Sequence, residues 1–223
     1  MPRLQDRILS NEEAKRYYNR FGHKQDRQVF YEEPAIEWLL DRGDFEIAEA
    51  VFEFGCGTGR LAQHLLAETL TENATYFGCD ISSTMVELTE TRLANFGARA
   101  NVHLSHGETN FDLPDGSYDR FLSAYVFDLL SPDDIRSLID EAHRLLVPGG
   151  MICLAGITNG NTPISRTVTG MWRFVNMIRP RLLGGCRPLE LLEYLPQRQW
   201  SHPERTVIVV SGIASEAIVA RKQ

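Results

Sequence analysis

Three glycines stand close together in the stretch VFEFGCGTGRLA, which covers residues 51–62. Gly55, Gly57 and Gly59 follow a short apolar run that contains one acid, Glu53. Glycine lets the backbone approach a ligand closely, and amides at the start of a following helix attract the polar end of that ligand. The stretch also suits an ordinary connection between a strand and a helix, so the turn alone leaves both interpretations open.

The spacing of the glycines narrows the choice of ligand. A dinucleotide turn has the pattern G-x-G-x-x-G/A, whose third small residue allows close packing of the helix. Arg60 stands at that third position, and the Gly-Lys-Ser/Thr of a phosphate-binding loop is absent. Glu53 would lie badly beside a pyrophosphate but suits a cationic amino group. The pattern therefore favours a nucleoside-like ligand that carries no phosphate and ends in an amine.

Two further polar positions follow the next predicted strands. Asp80 ends the stretch ATYFGCD, where a carboxylate can accept hydrogen bonds from two ribose hydroxyls. Asp80 also suits the N-cap of a helix that runs from Ser82 onward. In the stretch HGET, Glu108 or Thr109 could reach the edge of an adenine. Because the carboxyl ends of adjacent parallel strands share one edge of a sheet, we expect these positions to line one site.

Taken together, these stretches resemble the motifs of the class I S-adenosylmethionine-dependent methyltransferases, particularly the small-molecule group that includes quinone-biosynthesis methyltransferases. VFEFGCGTGRLA is similar to the first motif of that family, and YFGCDIS (76–82) to its acidic motif. HGETNFDLPDGSYDRFLSAYVFDLL (106–130) and RLLVPGGMICLAG (144–156) resemble its later motifs. The resemblance implies S-adenosylmethionine as cofactor, S-adenosylhomocysteine as product, and in-line transfer of a methyl group to a small-molecule acceptor.

The resemblance also implies roles for individual residues. The glycines and Glu53 should line the methionine end of the cofactor, and Asp80 should hold the ribose hydroxyls. Ile81 should pack on the adenine, with Glu108 near its amino group, and Ser123 should lie beside the sulfonium. The family commonly has Asp and then Ala where this chain has Glu108 and Thr109. The predicted cofactor-binding set is Glu53, Gly55, Cys56, Gly57, Gly59, Asp80, Ile81, Gly107, Glu108, Thr109 and Ser123.

Methyl transfer from a sulfonium neutralises charge rather than creating it. Positioning and exclusion of water can then supply much of the acceleration, so no catalytic dyad is required. The sequence therefore does not identify a catalytic residue. The candidates for that role are His23, Tyr18 and Tyr125. The aromatic side chains of the N-terminal segment could face the sulfonium cation, or they could only pack their helix onto the core.

The acceptor side is the least defined part of the sequence. We predict that Tyr17, Phe21, Trp172 and Arg173 contact the substrate, an amphipathic or aromatic small molecule. Methyltransferases that act on nucleobases or protein glutamine resemble Asn/Asp-Pro-Pro-Tyr/Phe after the fourth strand. This chain has Ser-Ala-Tyr-Val at 123–126, which disfavours those acceptors.

Strands and helices alternate regularly from residue 49. The predicted strands are 49–54, 74–80, 101–105, a strand within 117–127, and 150–156, with helices at 59–67, 82–96 and 132–146. Such alternation predicts a parallel sheet covered on both faces. The closing stretches TVIVVS and EAIVARK suit a hairpin. The fold class is therefore α/β: a Rossmann-like, seven-stranded, mostly parallel sheet with the last strand antiparallel and helices on both faces.

The remaining segments are expected to cover the site. Residues 1–44 are predicted as an N-terminal helical lid or substrate cap, in which Pro34 opens a second helix. Residues 45–223 form the Rossmann-like domain, with 157–200 as a substrate-cover insertion. Apolar spacing at Met171, Phe174, Val175 and Ile178 predicts an amphipathic helix in that insertion.

Composition excludes several other classes. The 223 residues are 43% hydrophobic and 24% charged, as in a globular protein, and the formal net charge of −7 disfavours nucleic acid as a partner. No apolar run is long enough to span a membrane. The four cysteines have no CxxC spacing, so no metal is expected.

We predict a cytoplasmic monomer or homodimer. The alternative function is a non-catalytic S-adenosylmethionine-binding sensor or scaffold.

Overall fold

One seven-stranded sheet forms the centre of the protein. A computed structural model of the chain describes residues 8–27 and 29–223, without the side chains of His23, Arg27 and Arg181. The strands are β1 Ala50–Phe54, β2 Thr75–Asp80, β3 Ala100–Leu104, β4 Tyr118–Ala124, β5 Leu146–Ile157, β6 Trp200–Val210 and β7 Ile213–Lys222. Their order is β3-β2-β1-β4-β5-β7-β6. Strands β1 to β5 pair in parallel, and β7 is antiparallel to both β5 and β6. The predicted sheet is confirmed.

Helices pack on both faces of this sheet. They are α1 Asn11–Phe21, α2 Val29–Arg42, α3 Arg60–His64 with a following π turn Leu65–Thr69, α4 Ser83–Leu93, α5 Pro132–Leu145 and α6 Pro163–Ile178. Alternate residues of β1 point to opposite faces, so Val51 joins one core cluster and Phe52 the other. The first cluster contains the buried side chains of α2 and α3, and the second contains those of α5.

The helix starts follow from local capping chemistry. Ser10 and Glu13 form a capping box at α1, since Ser10 accepts from the amide of Glu13 and the Glu13 carboxylate accepts from the amide of Ser10. Ser82 caps α4 and Ser131 caps α5, each through a hydroxyl that accepts from one backbone amide of its helix. These caps fix where each helix leaves the sheet edge that carries the candidate site.

The helix α2 differs from its prediction. Pro34 lies inside α2 rather than at its start. Tertiary packing holds the turn before the proline: Tyr31 is buried, and its ring meets that of Tyr125 edge-on with the centroids 5.8 Å apart. Ala35 and Leu39 are fully buried in the core. α2 is therefore part of the folded core, whereas α1 lies over the sheet edge.

The helix α6 is present where the apolar spacing predicted one, but its orientation is unusual. Its buried residues are Ser165, Thr169 and Asn176. Met171 and Phe174 are exposed instead. Within the described residues, no helix is both long enough and apolar enough to cross a membrane.

Gly59 allows close contact between the glycine turn and α4. Its φ is +75°, and an added Cβ would lie 2.7 Å from Cγ2 of Thr89. We expect Gly59→Ala to lower the free energy of unfolding by about 1–3 kcal/mol, because the overlap and the left-handed backbone both oppose the methyl group. Urea unfolding measures this change.

Gly170→Ala is the matched control for that substitution. Gly170 lies within α6, and an added Cβ there meets nothing within 4 Å. Alanine should therefore stabilise the protein by roughly 0.5–1 kcal/mol. Equal effects of the two alanines would contradict the packing role of Gly59.

Candidate functional site

The glycine turn after β1 has a backbone that other residues cannot easily adopt. Gly55 and Gly57 have φ values of 81° and 54°. An added Cβ on Gly55 would lie 2.3 Å from Cγ2 of Val126. The amides of Gly55 and Cys56 both donate to the carbonyl of Cys79, at 2.8 and 3.0 Å. The turn is thereby attached to the end of β2, with its backbone open to a ligand.

Asp80 connects the turn to α4. Its Oδ2 accepts from the amide of Gly57 at 3.0 Å, and its Oδ1 accepts from the amide of Ser82 at 2.8 Å. Burial raises the pKa of Asp80 to about 6. Each carboxylate oxygen has a second lone-pair direction, so Asp80 can still accept hydrogen bonds from a ligand.

A pocket opens at the carboxyl ends of β1 to β4. From the sheet edge it is lined by Gly55, Asp80, Ile81, Ser105, Gly107 and Thr109. Leu129 and Leu130 add apolar surface. On the opposite side stand Asn11, Ala14 and Tyr18 of α1, together with Leu9 and Gln25. Five of the predicted cofactor residues therefore lie together, and α1 covers them.

A second cavity adjoins this pocket and contains two buried acids. It shares Gly55, Gln25 and Tyr125 with the first pocket and is also lined by Glu32 and Glu53. Burial raises the pKa of both carboxyls to about 7, although the hydroxyl of Tyr76 donates to Oε2 of Glu53 at 2.5 Å. A bound cation would favour the charged form of each acid. The cavity therefore suits an amine.

Glu32 and Gln25 were not predicted from the sequence. Glu32 lies in α2 beside the buried Tyr31, Ala35 and Ile36, so it is an acid on an otherwise apolar helix face. That position was the available signal, since an acid on a buried face needs a partner. Cys56 and Gly57, which were predicted, also line the second cavity.

Some predicted side chains point elsewhere. Glu108 accepts from the amide of His106 at 2.6 Å and is not among the residues that line the pocket. Ser123 is buried, and its hydroxyl donates to the carbonyl of Phe54 at 2.8 Å. Gly59 packs on Thr89. Directly after β4, Tyr125 and Val126 line the pocket, and Tyr125 has a φ of 58°.

The catalytic candidates are walls of the pocket rather than bases. Tyr125 donates to Oγ of Ser215 at 2.8 Å, and burial raises the pKa of its phenol. Burial likewise raises the pKa of Tyr18, whose hydroxyl donates to the carbonyl of Gly184 at 3.5 Å. Both phenols are therefore neutral at physiological pH. The side chain of His23 lies outside the described residues.

The four predicted substrate residues do not line the pocket. Tyr17 and Phe21 stack with their ring centroids 5.4 Å apart and line a separate groove along α1. Trp172 donates its indole N–H to the carbonyl of Cys186 at 2.9 Å. Arg173 bonds Oδ1 of Asn159 at 3.0 Å and lines a third groove. The indole of Trp172 is therefore bound to the loop at Cys186.

Comparison with known proteins agrees with the motifs. Residues 51–150 match a family described as a methyltransferase domain. The human tRNA N(3)-cytidine methyltransferase METTL2B is 34% identical over 107 residues, which are 47% of this chain and 28% of that enzyme. The demethylmenaquinone methyltransferase of Leptospira interrogans (serogroup Icterohaemorrhagiae, serovar copenhageni) is 26% identical over 162 residues, which are 71% of this chain and 63% of that enzyme. The chain thus spans less than a third of the tRNA enzyme.

Solved structures show the same fold. The N-methyltransferase NodS of Bradyrhizobium japonicum WM9, in complex with S-adenosyl-L-homocysteine, superposes with a TM-score of 0.62 at 14% identity, over 85% of this chain and 86% of NodS. The (4+2) cyclase SpnF superposes with a TM-score of 0.70 at 14% identity, over 96% of this chain and 97% of SpnF. A fold shared at this identity carries no activity with it.

The glycine turn, the acid at the end of β2 and the matched domain define a class of protein. Residues 51–150 match the methyltransferase-domain family, and the chain has the fold of a solved methyltransferase, in agreement with the class I S-adenosylmethionine-dependent methyltransferases that its motifs resemble. The cofactor of this family, S-adenosylmethionine, fits the residues present. Asp80 offers a carboxylate for the ribose, Ile81 and Leu130 offer apolar walls for the adenine, and the acid-lined second cavity suits the amino end.

The role of Asp80 can be tested by calorimetry with S-adenosylmethionine. Asp80→Ala should weaken binding by about 1–3 kcal/mol, the scale of hydrogen bonds to a charged group. Asp80→Asn, which keeps the shape of the side chain, should weaken binding less than alanine does. Asp133→Ala, at an exposed acid of α5, is the control and should bind as the wild type does. Unchanged affinity of Asp80→Ala would mean that the ribose lies elsewhere.

The buried acid Glu53 should make the stability of the ligand-free protein depend on pH. Its pKa is about 7 when folded and about 4.3 when unfolded. The folded state therefore keeps a proton that the unfolded state releases, so stability falls as pH rises from about 4 to 7 and then levels off. Glutamine does not titrate, so Glu53→Gln should remove this pH-dependent loss of stability. Its amide oxygen can still accept the hydrogen bond from Tyr76.

The measurement is urea unfolding of both proteins between about pH 4.5 and 8. The stability of Glu53→Gln relative to wild type should increase with pH across this range. The exposed acid Glu46 provides the control Glu46→Gln, whose difference from wild type should stay small. A constant difference for Glu53→Gln would show that Glu53 is already ionised in the folded protein.

Proposed function

We propose that this protein transfers a methyl group from S-adenosylmethionine to a small-molecule acceptor. One observation supports this most directly: a single pocket joins the cofactor residues Gly55, Asp80 and Ile81 to the aromatic walls Tyr18 and Tyr125. A methyl donor held at the sheet edge would therefore face a covered space in which an acceptor could lie.

The chemistry needs positioning more than acid–base catalysis. When bound, S-adenosylmethionine supplies a methyl group on a sulfonium that is open to in-line attack. Asp80 and the glycine turn orient the bound molecule, and α1 excludes water from above. Tyr18 and Tyr125 present ring surfaces that attract a cation. Because both phenols hold their protons, they shape the site without removing a proton from the acceptor.

Three features favour a small acceptor over nucleic acid. The pocket is covered by α1, and the formal net charge of the chain is −7. The residues at the end of β4 and just beyond it are Ser-Ala-Tyr-Val (123–126), without the paired prolines that accompany planar amine acceptors. Of the two predicted covers, residues 1–44 and 157–200, the first contains α1, which lines the pocket and is proposed to cover this acceptor. The names of the tRNA and demethylmenaquinone enzymes describe what those enzymes methylate, and they do not assign an acceptor to this chain.

The cellular setting belongs to the same proposal. Cys56, Cys79, Cys153 and Cys186 are all free, which fits a reducing cytoplasm. A monomer or homodimer is proposed.

A panel of acceptors tests the proposal. The protein is incubated with S-adenosylmethionine and separate phenols, quinols, amines, thiols, carboxylic acids and tRNA, and products are read by mass spectrometry. We expect one small-molecule class to gain a single methyl group, with an equal amount of S-adenosylhomocysteine. Asp80→Asn should reduce turnover at low cofactor concentration, since it weakens binding.

Variants of Tyr18 distinguish the role of its ring, as a wall of the pocket, from the role of its hydroxyl. Tyr18→Phe should keep turnover close to wild type, whereas Tyr18→Ala should lower kcat by about tenfold to a hundredfold through lost positioning. Methylation of tRNA alone would overturn the small-molecule acceptor. Tight binding of S-adenosylmethionine without turnover of any acceptor would favour the alternative function, a sensor or scaffold.

A further inference from the structure

The helix α6 presents an apolar surface to solvent. We call this surface the α6 face; its residues are Ile164, Met171, Phe174 and Ile178, with Leu182 just beyond the helix. Their exposed fractions lie between 53% and 73%. A helix that packs on a core normally buries its apolar side, so this arrangement is inverted. Large side chains exposed together in this way mark an interaction surface.

The opposite side of α6 is polar and already in use. Asn176 donates to the carbonyls of Gly185 and Cys186 at 3.3 and 3.2 Å, and Trp172 donates to the latter at 2.9 Å. Thr169 accepts from the amide of Gly160 at 3.2 Å. These bonds fix which side of the helix faces the protein. The apolar side therefore cannot turn inward without breaking them.

The charge around α6 is opposite to that of the rest of the chain. Residues 158–187 contain five arginines and no Asp or Glu, a net charge of +5. Since the whole chain carries −7, the remainder carries −12. Arg187 is buried and donates to the carbonyl of Leu130, but Arg166, Arg173 and Arg179 are exposed. The apolar face is thus accompanied by positive charge within a negative protein.

We propose that the α6 face binds the surface of a membrane rich in anionic lipids. A basic amphipathic helix lies in the interface, with its apolar residues at the acyl boundary and its cations near the headgroup phosphates. The 16 residues of α6 are too few to span a bilayer, which needs about 20. Nucleic acid would satisfy the arginines but not the five exposed apolar side chains. The acidic remainder of the protein would be repelled from the lipid, which sets the orientation.

This docking would bring the membrane close to the pocket. The loop that α6 holds, residues 184–187, packs on α1: an added Cβ on Gly184 would lie 3.1 Å from the ring of Tyr17 and 3.3 Å from the hydroxyl of Tyr18. Tyr18 lines the pocket. The loop 184–187 and Tyr18 therefore connect α6 to the candidate acceptor space. The docking itself does not depend on methyl transfer, so it can be tested without an acceptor.

Co-sedimentation with vesicles tests the proposal on the full chain. Two vesicle types are used, one of phosphatidylcholine alone and one with phosphatidylglycerol added at a ratio of about three to one. We expect the protein to sediment with the anionic vesicles, weakly or not at all with the neutral ones, and less as salt is raised. Absence of binding to the anionic vesicles overturns the proposal.

Variants of exposed residues assign the binding to α6. Met171→Gln/Phe174→Gln/Ile178→Gln should abolish measurable sedimentation, and Arg166→Gln/Arg179→Gln should weaken partitioning by about 25-fold, fivefold for each arginine. All five side chains are exposed, so the melting temperature should not fall. Ile47→Gln and Arg136→Gln are the matched controls, because both residues are exposed and lie away from α6. They should bind as the wild type does.

Other outcomes identify a different occupant and overturn the membrane proposal. A dimer that dissociates in the triple glutamine variant, with no binding to vesicles, would assign the α6 face to a second copy of the chain. A complex with tRNA that is lost in the arginine variant, again without vesicle binding, would assign it to nucleic acid. Vesicle binding that both variants retain would place the lipid contact elsewhere.

Discussion

The carboxylate of Asp80 holds the candidate site together. It accepts one hydrogen bond from the glycine turn after β1 and one from the start of α4, so a single side chain joins two elements from different parts of the chain. The neighbouring carbonyl of Cys79 accepts two more amides from the same turn. A turn of glycines has no side chains with which to fix itself, and its backbone loses much entropy on ordering. The hydrogen bonds to the end of β2 therefore hold the turn in one conformation.

This architecture buries several acidic side chains, and removing a carboxylate from water is unfavourable. Glu32, Glu53 and Asp80 lie around connected cavities, and the pKa of each is raised by burial. Without a ligand, these groups either keep protons or carry unfavourable charge. A ligand with a cationic amine and a sulfonium offers the missing positive charge. Electrostatic complementarity would thus favour S-adenosylmethionine over S-adenosylhomocysteine, which lacks the sulfonium.

The sequence predicted the elements that are defined by short, regular patterns. The alternation of apolar strands with helices predicted the sheet, and the glycines with Asp80 predicted the edge at which the pocket lies. Positions that depend on side-chain direction were harder. Ser123 follows the expected strand, yet its hydroxyl bonds a neighbouring carbonyl, and Glu108 turns back to its own loop. Motif spacing fixes where a Cα lies, whereas the choice of hydrogen-bond partner depends on tertiary packing.

The acceptor side was least predictable for the same reason. Tyr17 and Tyr18 are adjacent in α1, and only Tyr18 reaches the pocket, because neighbouring helical residues point about 100° apart. The apolar spacing in α6 predicted a helix, but periodicity does not specify whether the apolar side meets the core. Glu32 lies at a helix position that periodicity assigns to an apolar residue. Such an exception becomes meaningful only once the cavity beside it is known.

The polar attachment of α6 also has a dynamic consequence. The helix is joined to the loop 184–187 through the side chains of Trp172 and Asn176, and its buried positions are otherwise Ser165 and Thr169. Apolar burial dominates the free energy that resists local opening, and α6 buries little of it. Amides of α6 should consequently exchange with solvent through small openings that leave the sheet intact. We expect the helix to open more often than the whole domain unfolds.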